Sequence, residues 1–164
     1  MIKKLFIHRS LPEMYNIDVG DDNKIYTEAS GKKDGIPVIF VHGGPGGQCR
    51  SEHHSLFNPQ IFRSIIFDQR GCGKSIPYRS LEGNNTENLV EDIEKIRDFF
   101  KIKKFLIVGG SWGATLAIKY ALKFPKNLIG VLLRSVFLGT INEINWAFID
   151  GPKNFAPNLY KTFE

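Results

Sequence analysis

The run Phe105-Leu106-Ile107-Val108-Gly109-Gly110-Ser111-Trp112-Gly113 constrains the fold more than any other stretch. Four apolar residues make a short buried strand, and the residues at 114–122 are helix-forming. A serine flanked by glycines therefore sits at a strand-to-helix turn. Such a turn forces the serine into strained backbone, and side chains at 109 and 113 would collide with it. Glycine at both positions removes the collision. Ser111 Oγ is then lifted above the sheet as a candidate nucleophile. The Trp112 N–H, at the start of the helix, points to where negative charge would form on a substrate oxygen. A bare G-x-S-x-G also occurs in ordinary turns, so the surrounding pattern has to carry the reading.

That pattern alternates. Residues 16–19 and 24–29 read as strands around the turn residues at 20–23, residues 37–41 as an uninterrupted apolar strand, and residues 64–68 as another. Leu89, Ile93, Ile96 and Phe100 recur at spacings of four, three and four. They predict an amphipathic helix with Thr86 as its N-cap and Glu87 set against the helix dipole. Pro59 limits any helix over residues 51–63. Phe124-Pro125 stops the helix after Ser111, residues 128–137 give a further strand, and from Gly139 onward the pattern turns irregular. Strands alternating with helices predict an α/β fold, a mostly parallel sheet with helices on its faces.

Composition excludes several functions. The 164 residues suit one domain or a large part of one. A net charge of +5 invites a nucleic-acid partner, but Lys3, Lys4, Lys32, Lys33, Lys101, Lys103 and Lys104 are scattered over loop edges and helix ends. They form no basic stripe interleaved with aromatics, and no nucleic-acid binding is expected. The two cysteines, Cys49 and Cys72, are too few for a disulfide framework and lack metal-ligand spacing, so no metal site is expected. No apolar run approaches membrane-spanning or signal-peptide length, which predicts a soluble cytoplasmic protein without membrane association.

Two glycine-rich turns follow the earlier strands. His42-Gly43-Gly44-Pro45-Gly46-Gly47 lacks the Lys-Ser/Thr ending of a phosphate loop and the spacing of a dinucleotide fingerprint. With Ser111 downstream, it reads as a loop whose backbone amides face a reacting carbonyl, Gly44 being the expected donor and His42 a buttress. Asp68-Gln69-Arg70-Gly71-Cys72-Gly73-Lys74-Ser75 ends like a nucleotide loop but has aspartate where the first glycine belongs. Asp68 and Arg70 are expected to tie loops together around the site, and Cys72 to be a packed residue rather than a reactive thiol.

The motifs HGGPGGQC at 42–49, FDQRGCGKS at 67–75, NNTENLVEDIEKIR at 84–97 and GGSWGATLAIKYA at 109–121, with a weaker match over 132–148, resemble the proline iminopeptidases of the α/β-hydrolase fold. The resemblance implies Ser111 as nucleophile and the Gly44 and Trp112 amides as oxyanion hole. It places Phe137 near a proline pocket. It also implies peptides with an N-terminal proline as substrates, and neither metal nor organic cofactor. Residues 1–138 would be the N-terminal part of the hydrolase core and residues 139–164 the start of its cap.

In this fold the carboxylate and the histidine follow the serine in chain order. Here His8, His42, His53 and His54 all precede Ser111, and the later carboxylates, Glu143, Asp150 and Glu164, lie in no glycine-bounded loop after a strand. A serine hydroxyl is a poor nucleophile until a base takes its proton. The expectation is a truncated core without its C-terminal strands, most of its cap, its acid and its histidine, inactive alone, with a second chain as one source of the missing Asp and His. Without later strands, residues 128–137 would form an exposed apolar sheet edge. The alternatives are a non-catalytic fragment or interaction remnant, or another hydrolase of this fold such as an esterase.

Overall fold

The computed structural model describes residues 6–162. Lys3, Lys4 and Glu164, used in the reading above, lie outside them. Six strands make one sheet: β1 (Glu13–Asp18), β2 (Lys24–Gly31), β3 (Ile36–Val41), β4 (Phe62–Phe67), β5 (Phe105–Ser111) and β6 (Leu128–Val136), in the order β1-β2-β4-β3-β5-β6. β4, β3, β5 and β6 pair in parallel, while β1 and β2 are antiparallel additions at one end.

The uninterrupted apolar run of β3 is buried on both sides, as strands between two covered faces are. Ile39 and Val41 join Ile25, Ile65, Phe67 and Ile107 on one face. Val38 and Phe40 join Ile66 and Val108 on the other. The first face is covered by α1 (Thr86–Phe99) through Leu89, Val90, Ile93 and Ile96, and by α2 (Trp112–Lys123) through Leu116, Ala117 and Tyr120. The second face carries a 3-10 turn over Ser51–Leu56, with Phe57, Phe62 and Cys49 packed nearby.

Two local expectations change. Asn85, not Thr86, caps α1: its side chain accepts the Asn88 N–H at 2.9 Å, and Thr86 becomes the first helical residue. Asparagine is at least as good a cap as threonine, and here the chain enters extended at residue 85. Beyond Gly139 the chain is helical rather than irregular, in short pieces over Ile141–Asn145, Trp146–Asp150, Gly151–Phe155 and Pro157–Tyr160. Ile141, Trp146, Phe148, Phe155 and Leu159 there are exposed, so no one-sided apolar stripe marked these helices in the sequence. β6 is the outer strand of the sheet, with Ile129 at 55% and Leu132 at 56% exposure. That matches the expected apolar edge.

Arg70 binds across the top of the first layer. Its guanidinium meets the Asp92 carboxylate of α1 through two bonds, at 2.7 and 2.9 Å, and reaches Asp21 at 3.1 Å. Arg70 and Asp92 are both fully buried. Burial pushes the Asp92 carboxyl up, and the guanidinium opposes that rise. Removing one partner strands the other charge away from water. Arg70→Met is therefore expected to cost about 3–5 kcal/mol in urea unfolding, and adding Asp92→Leu to recover most of it. A double variant no more stable than Arg70→Met would contradict this.

Candidate active site

Ser111 closes β5 and caps α2 with φ 55° and ψ −125°, a region that costs a non-glycine residue on the order of 1–3 kcal/mol. The flanking glycines make the conformation possible. A Cβ on Gly109 would stand 2.1 Å from the Gly113 carbonyl oxygen, and one on Gly113 would stand 2.2 Å from the Val41 oxygen of β3. As the first residue of α2, Trp112 has an N–H without an intrahelical acceptor.

The loop after β3 abuts this elbow. A Cβ on Gly43 would approach the Ser111 Cβ to 3.3 Å. Gly44 turns the loop at φ 147°, where a Cβ would stand 2.6 Å from the Gly46 nitrogen. Serine and loop share a cavity of about 480 Å³ whose walls include Phe40, Gly43, Gly47, His53 and Arg134. It opens at the C-terminal ends of parallel strands β3, β5 and β6, where open α/β sheets bind ligands. The structure thus brings Ser111 and the 43–47 loop together. Phe137 does not line this cavity; its carbonyl accepts the Thr115 hydroxyl at 2.6 Å.

His42 is a buttress, as expected. Its Nδ1 lies 2.7 Å from the Gly43 carbonyl oxygen, which can only accept, so Nδ1 carries the proton. Nε2 accepts the Gln69 backbone N–H at 3.1 Å. Both nitrogens are engaged in the neutral state, and burial, its main cause, holds the His42 pKa down. Asp68 ties loops as expected, accepting the Cys49 N–H at 2.6 Å and the Lys74 N–H at 2.8 Å. Cys72 is packed, and burial raises its thiol pKa away from the reactive thiolate.

Gln69, Arg50 and Arg134 were not identified from the sequence. Gln69 was legible as part of the 67–75 motif but carries no ionisable group to single it out. Arg134 sits near the end of β6, a position that could have flagged it.

Ser111 Oγ hydrogen-bonds to no described residue. His8 uses both ring nitrogens, on the Ser30 hydroxyl at 2.7 Å and the Phe57 carbonyl at 3.1 Å. His53 lines the cavity, yet its Nδ1 accepts the Arg50 N–H at 3.0 Å. Burial first, and then Arg50 and Arg134, push its pKa down. Glu143 caps the Ile141–Asn145 helix by accepting from Thr140 and Leu138.

His54 is buried against Ser64 at 2.7 Å, with Nε2 facing Glu28 Oε2 at 3.4 Å without a hydrogen bond and His8 nearby. Burial, only partly offset by Glu28, lowers its pKa from 6.5 to about 4. The unfolded chain takes up this proton near pH 6.5, while the fold refuses it until about pH 4. Stability is therefore complete above the ordinary value and falls as pH drops through that window, by an amount on the order of 2–3 kcal/mol. Urea unfolding between pH 7 and 4 should show this slope, flattened in His54→Gln. An equal slope in that variant would contradict the assignment.

Comparison with known proteins agrees with this geometry. The α/β-hydrolase-fold family profile matches residues 36–150. A proline iminopeptidase of Arabidopsis thaliana is 45% identical over 148 residues, covering 90% of this chain and 39% of the relative. One of Neisseria gonorrhoeae is 48% identical over 130 residues, covering 79% of this chain and 42% of the relative. The crystal structure of a proline iminopeptidase-related protein from Thermus thermophilus matches with a TM-score of 0.65 at 28% identity, over 76% of this chain and 44% of that one. The chain thus spans about two-fifths of the length of the curated relatives it matches. No helix among the described residues is long and apolar enough to cross a membrane. With a strained serine at the strand-to-helix turn, a glycine loop against it and a family match over its central 36–150 segment, the chain belongs to the α/β-hydrolase family and within it is similar to the proline iminopeptidases.

Proposed function

We propose that this chain carries the nucleophile and the oxyanion hole of a serine aminopeptidase that releases N-terminal proline from peptides. Ser111 Oγ attacks the prolyl carbonyl carbon. The resulting oxyanion accepts hydrogen bonds from the Gly44 and Trp112 amides, and the peptide amine leaves with the proton taken from Ser111. Water then hydrolyses the prolyl ester. The observation that carries the reading is Ser111 in a strained elbow with the 43–47 loop against it, in a chain 45–48% identical to proline iminopeptidases.

The proton needs an acceptor. His8 and His42 are engaged at both ring nitrogens, His54 is buried, and His53 spends its Nδ1 on Arg50. The proposal therefore assigns the histidine and its carboxylate partner to polypeptide other than these residues, on the same chain or a second one. It also takes the helical segment after Gly139 as the start of a cap over the site, with Phe137 at the edge of the proline pocket.

A chimera tests this by continuing the chain into the segment that follows the matched region of the N. gonorrhoeae relative. It should hydrolyse proline p-nitroanilide, with Ser111→Ala lowering turnover by at least about 10³-fold. Turnover of simple esters but not of the prolyl arylamide would overturn the substrate assignment. Turnover that survives Ser111→Ala would overturn the nucleophile.

A further inference from the structure

Gln69 lies buried beneath the elbow, and its hydrogen bonds run to both segments that carry the oxyanion donors. Its side-chain oxygen accepts the indole N–H of Trp112 at 3.2 Å. Its side-chain nitrogen donates to the His42 carbonyl at 2.8 Å, and its backbone N–H donates to His42 Nε2 at 3.1 Å. His42 passes the restraint on, because Nδ1 donates to the Gly43 carbonyl at 2.7 Å. The amide orientation is set by its partners: an indole N–H can only donate and a carbonyl can only accept. Only a primary amide offers a donor and an acceptor at these two places. Glutamate keeps the acceptor alone, and methionine keeps the length with neither.

We infer that Gln69 is a positioning residue that fixes the start of α2 against the Gly43–Gly47 loop, and so sets the spacing of the Trp112 and Gly44 amides. This rests on the proposed oxyanion roles of those amides. The physical need is plain. A tetrahedral oxyanion accepts two donors only when both stand 2.7–3.1 Å from one point, and one donor comes from a helix start while the other comes from a flexible glycine loop. Elbow strain holds the first. The second has few side chains with which to hold itself. A chain of buried hydrogen bonds from Trp112 through Gln69 and His42 to Gly43 supplies the restraint, and it works while His42 stays neutral, as its burial favours.

Amide and indole hydrogen exchange by ¹H–¹⁵N NMR on this chain tests the inference without relying on turnover, so its outcome is separate from that of the peptidase reading. The protein carries an internal control in Trp146, whose indole lies in the exposed helical segment. Gln69→Met should speed exchange of the Trp112 indole and of the 43–47 amides by about tenfold, the loss of one hydrogen bond, and leave Trp146, β1 and α1 unchanged. Gln69→Glu should split the bridge, with the Trp112 indole still protected and the loop amides accelerated. Exchange unchanged in Gln69→Met would overturn the inference, as would acceleration spread evenly over the whole chain. If Gln69→Met does not fold, Gln69→Glu decides alone. The split pattern upholds the inference, and protection kept or lost at both places overturns it.

Discussion

The site depends on backbone packed against backbone more closely than any side chain allows. Gly109 faces the Gly113 carbonyl, and Gly113 faces the end of β3, each at a distance that a Cβ would violate by an ångström or so. These contacts pull the start of α2 down onto the sheet. Ser111, between them, has no relaxed conformation left and stands at φ 55°. The strain persists because the surrounding packing over-determines it. The same contacts set Gly113 against the Val41 and His42 carbonyls at the end of β3, so one steric constraint places both the proposed nucleophile and the helix start that carries the proposed Trp112 donor.

The segment after β4 does the remaining fastening, in three directions from three consecutive residues. Asp68 holds the backbone just past the glycine loop, Gln69 bridges His42 and Trp112, and Arg70 reaches down to Asp92 on α1. All three are buried, where an unmade hydrogen bond costs more than a made one contributes. Their value is therefore positional: they admit one arrangement of loops and penalise the others. The histidines fit this picture. Three of the four serve the packing of the loops and the second face of the sheet, and His53, which lines the cavity together with His42, has its Nδ1 turned to the backbone.

Much of this was legible from residue order. The apolar runs at 37–41, 64–68 and 105–108 read directly as strands because both of their faces are buried, which leaves no polar interruption. The elbow was legible because it demands glycine at two fixed offsets, and the buttressing roles of His42, Asp68 and Arg70 because hydrogen-bonding side chains stand beside the glycine turns that follow β3 and β4. The rest failed for physical reasons. The helices after Gly139 have no covered face to imprint a period, and the α1 cap fell to Asn85 because asparagine and threonine compete at adjacent positions. Gln69 escaped notice because its function lies in donating and accepting at once, which only the three-dimensional neighbours reveal. Arg134 comes to the cavity that His53 lines only through the packing of β6 beside β5, whereas Arg50 meets His53 locally at the start of the 51–56 turn.

On the proposed reading, Ser111 is posed for attack while none of His8, His42, His53 and His54 serves as its base. Mass-spectrometric labelling of the folded 164-residue chain with a fluorophosphonate tests it most directly, because the reagent modifies serines whose proton is being removed. No adduct at Ser111 is expected in these 164 residues alone. Rapid modification of Ser111, abolished by His53→Gln, would contradict it and place the base within the cavity already described.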